Sequence, residues 1–328
     1  MGQALLWGAL YGLPLFVRSD FLLTIFIFTF IYGILAVTFD LIFGFTGQLS
    51  MFHPAVFGVS AYMTHLLVIL AGLPFWAATL PSAAAAVVLA VVVGSICFKF
   101  RLKAFYFAVV TLAFAEMIRL IVLNWNSVTN GTLGLVVAGK PTVYWPGHGV
   151  VPIKGPVAWY YVTLVCLSIT VFLCARALRS WMGRAFAAIR LNEDLARTLG
   201  INVFRYKLLS FAVGNALASF AGGLYGYYTG YIDPGYLSIN QSMEVLAMVL
   251  LGGQGTLTGP IVGSLVLTGL PHAIDLRAEV RAILYGGILI FTILVMPRGI
   301  VGTILTAVRA AERRGAAGRA AAEGEASL

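Results

Sequence analysis

The chain has few charged residues. Only 10% of its 328 residues are charged, against about 25% in soluble domains, and 60% are hydrophobic. That balance excludes an ordinary soluble domain. Cysteine is rare as well, and Cys97, Cys166 and Cys174 all fall in or beside apolar runs. We expect them to be small buried side chains, and no His, Cys or carboxylate set has the spacing of a metal site.

Two kinds of catalytic motif are missing. The chain has no Gly-Lys-Ser/Thr sequence, with which the phosphate-binding loop of many ATPases ends. It therefore does not bind and hydrolyse ATP by that route. No nucleophile and base are spaced suggestively either, so no catalytic residues are predicted. The net charge of +9 lies in short loops between apolar runs, which argues against nucleic-acid binding.

Long apolar runs are what the chain has in abundance. About ten are present, at 4–17, 21–43, 52–72, 75–98, 104–124, 158–178, 206–230, 238–252, 257–273 and 281–297. A transmembrane helix needs about 20 apolar residues, and the first and eighth runs are short. The sequence thus predicts an all-α polytopic membrane protein, a bundle of about 8–10 transmembrane helices. The transmembrane domain would cover 1–307, followed by a disordered tail at 308–328.

Lysine and arginine concentrate in three stretches, near 99–103, around 176–207 and after 298. With ten spans, all three lie on the same side of the membrane. Cytoplasmic loops carry an excess of these residues, so the loop over 179–205 and both termini are predicted to be cytoplasmic. The opposite loop, 125–157, is rich in turn-forming residues and aromatics. It would be either a docking surface for a substrate-delivering partner or a solvated connector.

A charged, amphipathic stretch lies inside the predicted cytoplasmic loop and reads GRAFAAIRLNEDLARTLG, from Gly183 to Gly200. As one short helix it carries apolar residues at three- and four-residue steps: Ala185, Ala188, Ile189, Leu195, Ala196 and Leu199. Glu193 and Arg197 would pair, and Gly200 predicts the helix end. A bilayer span needs no such helix. We expect it to contact a cytoplasmic partner, with a helix lying on lipid as the alternative.

The charged residues Asp40, Glu116, Arg119 and Glu244 fall inside apolar runs. Charges are costly in lipid and should face the protein interior or a water-filled path. Glu116 and Arg119 are three residues apart, so they form either a structural ion pair or part of the path. Glu244 lies near the start of a short span. Its carboxylate would either stabilise the N-terminus of that helix or act as a gate.

Two glycine-rich breaks interrupt the apolar pattern near the two ends of the chain. They read GFTGQLSMFHPAVFG (Gly44 to Gly58) and GGQGTLTGPIVG (Gly252 to Gly263). Paired breaks of this kind indicate a transporter repeat and a midplane pathway, unless they coincide by chance in a glycine-rich chain. The candidate pathway residues come from these breaks and from the intramembrane carboxylates: Gly44, Gly47, Gln48, Ser50, His53, Glu116, Glu244, Gly252, Gly253 and Gly255.

Several stretches together resemble one family. They are GRAFAAIRLNEDLARTLGINVFRYKLLSF (Gly183 to Phe211), FYFAVVTLAFAEMIRL (Phe105 to Leu120), TNGTLGL (Thr129 to Leu135) and VLLGGQGTLTGPIVG (Val249 to Gly263). The chain resembles the permease subunits of branched-chain amino-acid ABC transporters, LivM type, over roughly 20–300.

The resemblance implies an ATP-driven, binding-protein-dependent importer of the bacterial inner (plasma) membrane. This chain would bind no cofactor, and ATP-Mg would be held by separate ABC ATPase subunits. A second, related permease subunit, a soluble periplasmic substrate-binding protein and membrane lipid would complete its partners. The amphipathic segment would be the coupling helix that contacts the ATPase, through Arg184, Ala185, Ile189, Arg190, Asn192, Glu193, Asp194, Arg197, Leu199 and Gly200.

Two other classes of protein remain as alternatives. An ion-coupled secondary transporter of small organic solutes would transport alone and depend on Asp40, Glu116 or Glu244. A membrane enzyme would need clustered catalytic groups at one interface. The amphipathic segment favours the importer over both.

Overall fold

The computed structural model describes residues 7–8, 10–14, 19–102, 104–137, 139, 141–145, 149–274, 278–296, 299–304 and 306. Its main elements are helices, which confirms the predicted all-α class. In chain order they are α1 (Asp20–Thr46), α2 (His53–Ala71), α3 (Phe75–Lys99), α4 (Ala104–Asn124), α5 (Asn126–Thr129), α6 (Pro156–Arg179), α7 (Trp181–Leu191), α8 (Glu193–Thr198), α9 (Val203–Thr229), α10 (Ile239–Gly252), α11 (Gly259–Ile274) and α12 (Ala278–Val295).

Six helices are long and apolar enough to cross a membrane, counting only the part of the chain that the structure describes. They are α1, α2, α3, α4, α6 and α9, and each matches a predicted span. Helices α10 and α11 are shorter, with 14 and 16 residues, and they meet at the second glycine-rich break. The predicted span at 4–17 lies partly outside the described residues, and the predicted tail at 308–328 lies wholly outside them.

Helix α1 forms the centre of the bundle. The most apolar 18-residue stretch of α1 is 72% buried within the protein, against 28% for the corresponding stretch of α4. It packs against α6, α9 and α11. Two hydroxyl contacts join it to α11: the Thr29 and Thr268 hydroxyls lie 2.8 Å apart, and Ser264 donates to the Thr29 carbonyl at 3.1 Å. Since lipid is as apolar as leucine, such small polar contacts help to hold membrane helices together.

Helix α9 packs closely against α2 and α3. At Gly222 an added Cβ would lie 2.0 Å from the Phe57 carbonyl oxygen of α2, so the two backbones approach each other more closely than any side chain would allow. Small residues at helix crossings permit this approach in membranes. The same contact keeps α2 beside α9 along the core.

The loop predicted as an outer cap is built from short elements. Helix α5 leads into a 3₁₀ turn and strand β1 (Leu135–Val136), and strands β2 (Thr142–Trp145) and β3 (Gly149–Pro152) form an antiparallel hairpin. Strand β1 pairs antiparallel with β4 (Tyr231–Ile232), which follows α9. The indole of Trp76 donates to the Thr142 carbonyl at 2.9 Å. The loop is therefore fastened to α3 and to the end of α9.

Candidate functional site: the coupling segment and the glycine-rich breaks

The amphipathic stretch consists of two helices, where the sequence predicts one. The Asn192 side chain accepts hydrogen bonds from the backbone N–H groups of Asp194 and Leu195, both at 3.0 Å, and so starts α8. Asparagine is a strong N-cap residue, and this local bond separates α8 from α7. The predicted end at Gly200 is confirmed, because α8 stops at Thr198 and Gly200 adopts a left-handed φ of 82°.

Burial divides the apolar residues of this segment into two groups. Ala185, Ile189 and Ala196 are buried against the bundle of the same chain, at 5%, 3% and 1% exposure. Ala185 and Ile189 are therefore not free to contact a partner, because an amphipathic pattern identifies an apolar face without identifying what covers it. A second group projects outward, with exposures of 86%, 57% and 70% for Leu191, Leu195 and Leu199.

Arg190, at the end of α7, lies beside both glycine-rich breaks. An added Cβ at Gly255 would lie 2.6 Å from Arg190 Nη1, and one at Gly47 would lie 3.6 Å from its Cγ. Both glycines have left-handed backbones, with φ values of 76° and 74°. A single side chain of the amphipathic stretch from Gly183 to Gly200, which we call the coupling segment, thus contacts two stretches that are more than two hundred residues apart in sequence.

Asp40 joins the same breaks from inside the bundle. It is 1% exposed, and its two carboxylate oxygens accept the Gly255 N–H at 3.0 Å each. The Arg190 charge lies near enough to attract this carboxylate. A buried carboxylate needs such partners, since an unpaired charge in a low-dielectric interior is strongly unfavourable. Sequence analysis noted Asp40 as an intramembrane charge and did not place it in a site.

Gly44 allows this close approach. A Cβ there would lie 2.4 Å from Gly255 N and 1.9 Å from Asp40 Oδ1, so a larger residue would separate α1 from the second break. The second break is also stabilised by hydrogen bonds of its own. The Thr256 hydroxyl donates to the Gly253 carbonyl at 2.7 Å and accepts the Gly259 N–H at 3.0 Å. We call Asp40, Gly44, Gly47, Arg190 and Gly255 the coupling junction.

The other predicted residues of the first break lie in the protein interior. Gln48, Ser50 and His53 are 6%, 0% and 0% exposed. The ring of His53 packs edge-on against Phe39, with 5.8 Å between centroids. The Met51 N–H donates to Thr111 of α4, and the Met51 carbonyl accepts from Ser242 of α10. These contacts tie the first break to two further helices.

Glu116 and Glu244 lie apart from the coupling junction. Glu116 forms an ion pair with Arg119 on the same helix, with side-chain exposures of 41% and 28%. Glu244 accepts a hydrogen bond from the Tyr285 hydroxyl at 2.9 Å, which links α10 to α12. The structure therefore does not bring the predicted pathway residues together into one constellation.

Glu193 holds α8 against the start of α9. It forms ion pairs with Arg197 and with Lys207, whose side chain is only 4% exposed. Sequence analysis predicted the Glu193–Arg197 pair from its spacing and missed Lys207. The only signal for Lys207 was its place in the basic stretch, because its partner lies 14 residues away.

Comparisons with known proteins agree with this architecture. Residues 21–293 match the family described as the permease component of the branched-chain amino acid transport system. The chain belongs to this family. It is 30% identical to the high-affinity branched-chain amino acid transport system permease protein LivM of Salmonella typhimurium, over 83% of this chain and 68% of LivM.

Relatives of a second kind are similar as well. The permease protein LivH of Escherichia coli is 26% identical over 83% of this chain and 91% of LivH. BraD of Pseudomonas aeruginosa is 32% identical over a shorter stretch, 42% of this chain and 44% of BraD. No solved structure is significantly similar to the chain. The chain is therefore a multi-pass transport permease of the branched-chain amino acid family, similar to both the LivM and the LivH type.

The permease's coupling junction predicts the effect of removing its buried carboxylate. Asp40→Ala leaves the partly buried Gly255 N–H without its acceptor, so the free energy of unfolding should fall by about 1–3 kcal/mol. Asp40→Asn keeps an acceptor oxygen and should lose less. Asp20→Ala is the matched control, since Asp20 is exposed at the start of the same helix. Thermal unfolding in detergent measures the effect, and equal stability of Asp40→Ala and Asp20→Ala would contradict it.

Proposed function

We propose that this chain is one permease subunit of an ATP-driven, binding-protein-dependent importer of branched-chain or related amino acids. It lies in the bacterial inner (plasma) membrane with both termini in the cytoplasm. Membership in the branched-chain amino acid permease family supports the transport role. The observation that carries the mechanism is the coupling junction, because Arg190 of the amphipathic segment contacts both breaks of the membrane bundle.

ATP hydrolysis takes place on separate ABC ATPase subunits, which hold ATP-Mg, and this chain binds no cofactor. The ATPase contacts three outward leucines, namely Leu191 of α7, Leu195 of α8 and Leu199 directly after α8. Exposed leucines form an apolar patch on an otherwise charged segment, and such patches mark protein contacts. ATP-driven movement of the segment reaches α1 through Arg190 and the Gly255 loop, and the bundle then changes which side of the membrane is open.

The second permease subunit covers the exposed face of α4. Glu116 and Arg119 lie on this helix with side chains 41% and 28% exposed, beside a groove lined by Val109, Leu112, Ala113, Ser238 and Ile239. A charged pair within an apolar span is costly when it faces lipid. The similarity of this chain to both LivM and LivH supports a related partner. Substrate then passes between the two permeases.

The soluble binding protein delivers substrate to the outer cap. Trp125, Leu133 and Val136 are exposed there, by 53%, 71% and 75%. The β1–β4 pairing joins this surface to the end of α9, so a partner bound on the cap also contacts the bundle. The periplasmic partner and the ATPase thus contact opposite ends of the same helices.

An ion-coupled secondary transporter is the less well supported function. It would need a carboxylate that binds and releases an ion or proton during the cycle. Asp40 is held by the Gly255 N–H, Glu116 by Arg119 and Glu244 by Tyr285. Each carboxylate has a structural partner, which favours the importer.

Reversing the charge of Arg190 should uncouple ATP hydrolysis from transport. In Arg190→Glu the new carboxylate faces Asp40 and the Gly255 loop loses its cation. Uptake per ATP hydrolysed should fall about tenfold, the effect of a coupling free energy of about 1.4 kcal/mol. Proteoliposomes containing the whole importer provide both rates. Arg176→Glu is the control, because Arg176 is exposed near the end of α6, outside the junction. Normal uptake by Arg190→Glu would refute the assignment of Arg190.

Truncating the outward leucine patch should weaken ATPase binding. Leu195→Asn removes an exposed apolar side chain and leaves the buried Ala196 in place, so the affinity for the ATPase should fall about tenfold, as for an interface hot spot. Co-purification at increasing dilution measures this. Leu70→Asn is the control. Leu70 is 78% exposed near the end of α2, whereas the first glycine-rich break lies at the start of that helix. Equal ATPase recovery with both variants would place the ATPase contact elsewhere.

Replacing the exposed ion pair of α4 should separate the two permeases without unfolding this one. Glu116→Leu with Arg119→Leu makes the helix face fully apolar, and lipid accepts such a face. The variant should keep its melting temperature and lose the second permease on purification. A matched double change on α3, Val88→Leu with Val92→Leu, should retain it, since both residues are exposed there. Retention of the partner by the α4 variant would contradict the proposed interface.

A further inference from the structure

A pocket rich in basic residues lies outside the coupling junction, between the end of α3, the turn to α4 and the start of α9. Its volume is about 520 Å³. We call it the basic pocket, and its lining carries four cationic side chains and one carboxylate: Lys99, Arg101, Arg197, Lys207 and Glu193. Its apolar lining comes from Phe98, Leu102, Ile201, Val203 and Phe204.

The charges of the basic pocket do not balance. Glu193 is shared between Arg197 and Lys207. Within the part of the chain that the structure describes, neither Lys99 nor Arg101 has a carboxylate within ion-pair distance. Arg197 also forms an ion pair with Asp194, so two carboxylates face four cations. Two positive charges therefore remain in excess, and Lys99 and Arg101 are free to meet an added anion.

The backbone of Arg101 supports a binding role. It has a φ of 52°, in the left-handed region that glycine and asparagine adopt more readily than arginine. Strained residues of this kind cluster at binding sites, where the surrounding structure holds them in place. At Arg101 the strained turn directs the chain between α3 and α4, and its side chain lines the pocket.

The pocket lies at the end of the span α3, where we expect the lipid headgroups. Lys99 is the last residue of α3, and the neighbouring aromatic side chains Phe100, Phe105 and Tyr106 are 71%, 73% and 62% exposed. Tyrosines such as Tyr106 are enriched at the boundary between hydrocarbon and water, and the two exposed phenylalanines beside it add apolar surface there. The apolar lining and the exposed rings would accompany acyl chains, and the cations would meet the headgroup.

We propose that the basic pocket binds the phosphate-bearing headgroup of an anionic phospholipid from the membrane leaflet on the coupling side. Phosphate oxygens accept hydrogen bonds from guanidinium in a bidentate manner, and lysine adds a point charge. Basic pockets between spans at the cytoplasmic side bind such headgroups. A soluble phosphate has the same headgroup chemistry, but it would leave the exposed aromatic side chains between α3 and α4 without a role.

The site would also stabilise the coupling segment. Glu193 and Arg197 belong to α8, Lys207 belongs to α9, and Lys99 ends α3. An anion bound among them would reduce the repulsion between four cations that Glu193 and Asp194 together do not neutralise. We therefore expect the bound lipid to raise the melting temperature of the permease.

Native mass spectrometry of the full chain in detergent tests the site with two defined lipids, phosphatidylglycerol and phosphatidylcholine. Wild-type protein should retain phosphatidylglycerol in preference to phosphatidylcholine. Lys99→Gln with Arg101→Gln should weaken phosphatidylglycerol binding by about thirtyfold, since each basic residue near an anionic surface contributes about 1 kcal/mol. Arg176→Gln with Arg179→Gln is the matched control. It removes the same charge from exposed residues at the end of α6 and should bind as wild type.

Three outcomes would overturn the proposal. Equal loss in both double variants would indicate a diffuse charge effect rather than a site. Equal retention of both lipids by the wild type would show that the pocket does not distinguish an anionic headgroup from a zwitterionic one. Displacement of phosphatidylglycerol by millimolar inorganic phosphate, with the same dependence on Lys99 and Arg101, would assign the pocket to a soluble anion. A thermal melt of each variant shows whether it is folded. We expect the Lys99→Gln, Arg101→Gln variant to fold, because both substitutions leave the Glu193–Lys207 ion pair in place.

Discussion

The contact between α1 and the Gly255 loop is the constraint on which the rest of this permease depends. Helix α1 runs through the centre of the bundle, and its last turns meet the loop so closely that Gly44 has no room for a side chain. Asp40 fixes the loop from within by accepting the Gly255 N–H. Because α1 also packs on α6, α9 and α11, a displacement of this loop cannot stay local in a close-packed interior.

The membrane spans could be predicted from the sequence because few backbone structures are stable in lipid. Backbone groups must be satisfied internally, so a long apolar run becomes a helix, and six of them match their predicted positions. The split at Asn192 was not predicted, since periodicity alone does not weigh a side chain that caps the following turn. The amphipathic pattern also marked Ala185 and Ile189 as one face without revealing that their own bundle covers it.

Sequence distance explains which polar contacts could be foreseen. The Glu116–Arg119 and Glu193–Arg197 pairs lie within one helical turn, so spacing predicts them. The Asp40 contact with Gly255 spans 215 residues, and no local pattern encodes it. The paired glycine-rich breaks were the one distant signal in the sequence. They indicated related stretches in the two halves, and the structure places those stretches in contact with each other and with Arg190.

The orientation of the coupling segment follows from how its two ends are held. Arg190 lies on the Gly255 loop at the end of α7, while Glu193 anchors α8 to the buried Lys207. Leu191 lies between these two contacts, and Leu195 and Leu199 follow them. All three side chains are exposed. The Glu193 ion pairs and the buried Ala196 therefore set the direction of α8, which leaves its leucines available to a partner. A segment held in this way keeps a defined orientation through its polar contacts, while its leucines remain exposed.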